Sequence, residues 1–182
     1  MPRNIVVLVT AAFILFCGAG TRAESPLQSS ALVSSSVEAA LPLADKVVVR
    51  KSERKLYLMN NGTPLREYKI ALGLRPEGHK QYEGDFRTPE GKYRLTRRNP
   101  NSEYFLSILV DYPNEQDVKR ARAQGLRPGG AIMIHGQPNT PKKPRDYYAN
   151  VDWTEGCIAV SNSDMVEIWL MTTPGTPIEI LP

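Results

Sequence analysis

The sequence predicts a mainly β domain, antiparallel for the most part, with small helices attached to it. Three observations carry that expectation. Short runs of strand-forming residues outnumber helical patterns by about four to one, the two do not alternate as βαβ units would, and 15 Pro with 13 Gly divide the chain into many turns. At 182 residues the length fits one domain and excludes a large multidomain enzyme. With 41% apolar residues the chain can build a packed core, which sets aside wholesale disorder and collagen-like or disulfide-dense scaffolds.

Residues 1–23 read as a secretory signal, with a cation at Arg3, an apolar run over 5–16 and the small residue Ala23 ahead of Glu24. The run is shorter than the roughly 20 residues that a helix needs to cross about 30 Å of hydrocarbon. A cleaved leader is therefore expected, and an uncleaved anchor extended through Gly18 and Gly20 is the alternative. A lipoprotein signal fits less well, because the bulky Phe16 precedes Cys17. Loss of Arg3 and Arg22 with the leader lowers the 23 basic residues to 21 against 19 acidic, a balance of +2, so nucleic-acid binding loses its electrostatic support.

Residues 24–45 are rich in Ser and Ala, with Pro26 and Pro42, and read as a tether to a domain over 46–182. Val47-Val48-Val49 and Leu56-Tyr57-Leu58 are strand-forming runs. Asn61-Gly62 favours the positive φ angles of a tight hairpin, so 65–72 is the expected return strand. A polar stretch over 73–90 ends in the turn residues Thr88-Pro89-Glu90-Gly91, ahead of strands over 92–96 and 104–110. The helix expected over 115–124 has Asn114 as N-cap, Asp117 in its first turn and Gly125 just past its end, with Lys119, Arg120 and Arg122 on a solvated face. A short strand over 131–134 runs into His135-Gly136, after which Pro138, Pro141 and Pro144 argue against regular structure in a long loop. Residues 157–160 are apolar again. Ser161 opens a helix through Met171 that is expected to bury Met165, Ile168 and Trp169, and Pro174-Gly175 turns the chain into a last strand over 177–181.

Once the leader is removed, Cys157 is the only cysteine, so no intramolecular disulfide can form. A lone thiol in an oxidising compartment is exposed to mispairing, and either burial as a small hydrophobe or a chemical role would account for it. His135 at a strand end and Cys157 at a loop-to-strand junction favour the chemical role, since a thiol with a free pKa near 8.5 needs a neighbouring base to become a nucleophile. Gly156 would let a substrate carbonyl approach the backbone, where the N–H groups of Gly156 and Cys157 could hold an oxyanion. A zinc site of His79, His135 and Cys157 lacks local ligand spacing, and no Gly-rich phosphate loop is present. His79, within Gly78-His79-Lys80, reads as a loop or substrate contact.

Ile134-His135-Gly136, the long loop and Thr154-Glu155-Gly156-Cys157-Ile158 resemble the His-Gly and Ser/Thr-x-Gly-Cys signature of the L,D-transpeptidases with a YkuD-type catalytic domain. Gly84-Asp85 with Thr88-Pro89-Glu90-Gly91-Lys92-Tyr93 matches a further stretch of that family. The resemblance covers about residues 47–181. It implies an antiparallel β-sandwich or barrel-like domain, periplasmic and acting on peptidoglycan stem peptides at diaminopimelate, with neither cofactor nor metal. It makes Cys157 the nucleophile and His135 its base, with the Gly136 carbonyl orienting the imidazole. Trp153, Thr154, Glu155 and His79 are the expected substrate contacts, with packing as the competing role for Trp153. Two departures stand out: many members carry His where this chain has Glu155, and Arg where it has Ala159. Further matches, among them Asp152-Trp153-Thr154, resemble a subgroup that includes amidases releasing an outer-membrane lipoprotein from the wall. Transferase, amidase and an inert wall-binding module are thus the readings that the sequence leaves open.

Overall fold

A computed structural model describes residues 41–182; the leader over 1–23 and the tether up to residue 40 lie outside the described residues. The chain runs β1 (Lys46–Arg50), β2 (Lys55–Asn60), β3 (Thr63–Lys69), β4 (Gly91–Ser102), β5 (Phe105–Val110), α1 (Glu115–Ala123), β6 (Met133–His135), α2 (Arg145–Asn150), β7 (Ile158–Ala159), α3 (Asn162–Met171) and β8 (Pro177–Leu181). The strands form one sheet in the order β3-β2-β1-β8-β4-β5-β6-β7.

Alternation decides which face each strand buries. Val47 and Val49 of β1, Leu56 and Leu58 of β2, Ile108 and Val110 of β5, and Ile178 and Ile180 of β8 all point into one core, where Met165, Ile168 and Met171 of α3 meet them. Both residues of the Asn61-Gly62 turn have positive φ, +49° and +78°, which matches the twist of the flanking strands. Asn114 caps α1 by accepting from the backbone of Gln116 and Asp117, and Asp117 returns a bond to the Asn114 N–H. Ala44 and Asp45, at the end of the expected tether, already belong to the domain: Ala44 is buried and donates to the Met171 carbonyl, and Asp45 donates to Met59.

Four details differ from the sequence reading. The sheet is mixed: β1–β8 and β6–β7 are parallel, and the other five pairings are antiparallel. Strand β4 runs to Ser102 because Pro100 falls in a bulge between the paired residues Asn99 and Ser102, where its missing N–H costs no ladder bond. The proline-rich loop holds α2, since Pro144 takes the N-cap with φ −56° and leaves the following residues free to wind. Trp169 is half-buried, with the Arg98 guanidinium 4.8 Å from its ring centre, and Met171 is the third residue that α3 buries.

Beyond β3 the chain meets the opposite end of the sheet: Ala71 and Ala159 exchange two backbone bonds of 2.8 Å, and Gly73 bridges Thr154. The polar stretch over 73–90 is held from inside. Buried Lys51 donates to the Gly78 and Thr88 carbonyls and to Glu90 at 2.6, 3.1 and 2.8 Å. Buried Asp85 accepts from the Lys80 ammonium at 2.7 Å and from the backbone N–H groups of Gln81 and Arg87.

Candidate active site

His135 is the last residue of β6, and Cys157 immediately precedes β7. The two strands are parallel neighbours with His135 opposite Ala159. Side chains two apart share a face, so Cys157 and His135 lie on the same face, away from the core that Ile134 and Ile158 fill. The imidazole is buried. Its Nδ1 bonds the Gly136 carbonyl at 2.7 Å, which places the proton on Nδ1 and leaves Nε2 as the basic nitrogen. Tyr104 lies over the ring at 4.7 Å between centres, and Trp153 meets it edge-on at 5.5 Å. The Cys157 thiol is half-buried and points toward the Ala131 carbonyl at 3.6 Å.

The turn before the thiol is fixed by Thr154. Its hydroxyl donates to the Cys157 carbonyl at 2.8 Å and accepts the Gly156 N–H at 3.1 Å. Gly156 has φ +131°, and a Cβ there would stand 2.6 Å from the Arg87 carbonyl. The loop over 73–90 therefore forms the wall behind the nucleophile, and only glycine fits against it. Gly156→Ala is expected to cost about 1–3 kcal/mol through backbone strain and to slow alkylation of Cys157; urea unfolding and iodoacetamide labelling measure the two effects, and unchanged values of both would mean that the Arg87 carbonyl yields freely.

The family model described as the YkuD L,D-transpeptidase catalytic domain matches residues 44–180. The chain belongs to this family. Among curated relatives, the putative L,D-transpeptidase YafK of Escherichia coli (strain K12) is 33% identical over 111 residues, which are 60% of this chain and 37% of that protein. The chain thus spans little more than a third of the curated relatives it matches. Among solved structures, the helical cell shape determining protein Pgp2 from Campylobacter jejuni shares 29% identity at TM-score 0.57, covering 74% of this chain and 46% of its own. Bd1075 of Bdellovibrio bacteriovorus shares 26% at TM-score 0.53, covering 76% and 48%.

Within this L,D-transpeptidase domain, the residues expected at the site divide into three groups. Cys157 and His135 lie on one face with Gly136 and Gly156 beside them, and the Gly156 N–H expected to hold an oxyanion is instead bound by Thr154. Trp153 reaches the site as a packing group, stacked against His135, Tyr104 and Tyr148 with its indole N–H donated to the Tyr148 carbonyl at 3.3 Å. Thr154 is 3% exposed and orders the turn rather than facing solvent, whereas Glu155 is exposed beside the thiol. His79 stands elsewhere: its Nδ1 bonds the Glu90 backbone and its Nε2 meets Asp117 and Arg120 of α1, so both nitrogens are occupied by the protein. The same contact draws Arg120 out of the solvated face expected for α1. Among the described residues no group of three or more His, Cys, Asp or Glu side chains is arranged to hold a metal ion.

Sequence reasoning assigned no role of their own to Tyr104, Asp152 and Lys80. Tyr104 covers the imidazole from the turn between β4 and β5. Asp152 accepts from Arg54 and from the Leu72 N–H at 2.8 Å, tying the loop ahead of Trp153 to the chain beyond β3. Burial pushes the Cys157 thiol pKa up and Glu155 adds to the rise, against a Met133 backbone bond and the buried Lys80 ammonium, which lower it. Burial also drives His135 down to about 4, and the Gly136 bond only partly counters it. At neutral pH the pair therefore rests as neutral thiol and neutral imidazole.

Proposed function

We propose that the chain is a cysteine-dependent acyl-transfer enzyme acting in the periplasm on peptidoglycan stem peptides at diaminopimelate. The observation that carries this reading is the placing of a half-exposed thiol and an imidazole with a free Nε2 on one face of adjacent parallel strands. Nε2 takes the thiol proton as Sγ attacks the stem-peptide carbonyl next to diaminopimelate, and the Sγ–C bond forms while the Cys157 N–H receives the oxyanion. Collapse breaks the C–N bond, and the imidazolium returns the proton to the leaving amine. The thioacyl-enzyme is then resolved by an amine, which makes a cross-link or attaches lipoprotein, or by water, which releases what was attached.

Incubation of the protein with lipoprotein-bearing sacculi and with tetrapeptide fragments, followed by muropeptide analysis, separates these outcomes. New cross-links identify a transferase. Lipoprotein released without new cross-links identifies an amidase. A Cys157→Ser protein that makes the same products as wild type would overturn the thiol mechanism, and a wild type that makes none would favour an inert wall-binding module.

A further inference from the structure

The first half of the crossover between β6 and β7 meets the start of α3 around a cleft of about 600 Å³, which neither Cys157 nor His135 lines. That volume lies within the range of roughly 300–1,000 Å³ in which ligand clefts fall. Pro138, Pro141, Tyr148 and Ala149 supply apolar surface, Lys143 and Arg145 supply its charges, and no carboxylate side chain lines it. The cleft is held in shape by the protein itself. Proline fixes the backbone at 138 and 141. The Tyr148 hydroxyl accepts the Lys142 and Lys143 N–H groups at 2.9 and 3.2 Å, and its ring meets Trp153 edge-on at 5.1 Å between centres. Asn162 of α3 accepts the Gln137 N–H at 2.7 Å.

Three needs are left open around this frame. Gln137 donates Nε2 to the Val160 carbonyl at 2.7 Å, which fixes the orientation of the amide and leaves Oε1 buried with no donor. Among the described residues it is the one buried side-chain polar atom without a partner, and a buried acceptor is unfavourable until an N–H or O–H reaches it. The Arg145 guanidinium and the Lys143 ammonium are exposed and make no ion pair or hydrogen bond among the described residues; Lys143 only lies over the Tyr147 ring, 5.8 Å from its centre. The apolar surface is the third.

A donor N–H, an apolar group and an anion are what the last residue of a peptide carries in its amide, its side chain and its α-carboxylate. We infer that the cleft captures the carboxy-terminus of a partner protein that ends in a large apolar residue. The amide N–H serves Gln137, the carboxylate lies between Arg145 and Lys143, and the side chain covers Pro138, Pro141 and Ala149. A bare carboxylate would leave the apolar surface and Gln137 uncovered, and a purely apolar molecule would leave both cations unpaired. A terminal methyl side chain covers little of the surface, which favours a leucine-like end over an alanine. The inference goes beyond the acyl-transfer reading and does not depend on it, since no step of that reaction uses a cation or a proline of the cleft.

The test is fluorescence anisotropy with a fluorescein-labelled Gly-Ser-Gly-Ser-Leu-Leu peptide bearing a free carboxy-terminus. Saturable binding to wild type is expected, weakened about tenfold when Lys143→Gln and Arg145→Gln are combined and by a similar factor when the terminal carboxylate of the probe is amidated. Both substituted residues are exposed, so the fold stays intact, and Ala149→Trp, which fills the cleft from α2, is expected to abolish binding on its own. Absence of saturable binding, or equal binding of the amidated probe or by the double variant, would overturn the inference. Tighter binding of a probe ending in D-alanine would assign the cleft to a stem peptide and overturn the protein terminus as its occupant. Blocking Cys157 with iodoacetamide is expected to leave binding unchanged, and a loss on blocking would place the probe at the thiol and overturn the cleft.

Discussion

Replacing His135 by Ala should slow covalent capture of Cys157 by a carbapenem-type β-lactam by about 10² or more, read as the rate of mass increase on intact protein. The magnitude follows from the resting charges: burial raises the thiol's pKa and holds the imidazole near 4, so little thiolate exists at neutral pH and nearly every attack must borrow Nε2. The pH dependence carries the same signature. In wild type the base is neutral, hence competent, at every pH above about 4, and the acid limb of the rate should fall there instead of near an ordinary histidine. In His135→Ala only pre-existing thiolate reacts, so the rate should climb tenfold per pH unit up to the thiol's own pKa. A wild-type profile that climbs the same way, or an equal rate in the variant, would remove His135 from the reaction.

Asp85→Ala should destabilise the domain by about 3–5 kcal/mol in urea unfolding, because it leaves the Lys80 ammonium buried without its counter-charge. Both side chains are almost wholly enclosed, at 3% and 4% exposure. Burial alone would raise the Asp85 pKa, but Lys80 and the backbone N–H groups of Gln81, Arg87 and Tyr82 outweigh it and hold the carboxyl below its usual range. A carboxylate stabilised in this way adds stability that is complete above the ordinary aspartate pKa and is lost as pH falls through the lowered folded value. The gap between wild type and variant should accordingly be widest near neutrality and narrow on acidification. A gap that is small at pH 7, or that widens in acid, would contradict this account. Since the loop built on Asp85 backs Gly156, the variant should also lose thiol reactivity before it loses secondary structure.

How much of this was legible in the sequence depended on the range of the interactions. The β1–β2–β3 meander, the caps of α1 and α3, and the addresses of His135 and Cys157 follow from local chemistry: alternating valines and leucines, an Asn-Gly turn, capping side chains and a glycine ahead of a lone thiol. The parallel β6–β7 pair was not readable, because it is made by residues more than 20 apart in sequence through a loop whose prolines suggested only irregularity. Lys80 lies in a polar stretch whose sequence carries no sign that Asp85 folds back on its ammonium. His79 drew attention as one of only two histidines, yet its partners on α1 lie about 40 residues away. Tertiary pairing of charges decided these cases, and it leaves no periodic trace.

Parallel neighbours must be joined by a crossover that leaves one end of the sheet and comes back to start again at the other, and here that crossover runs from Gly136 to Gly156. The His135 nitrogen and the Cys157 sulfur are therefore placed at its two ends by sheet register, while Asp152, Trp153 and Thr154 anchor its returning arm. Substitutions in the outgoing arm of the crossover can therefore reshape the entrance to the proposed centre without shifting the register that holds its nitrogen and sulfur.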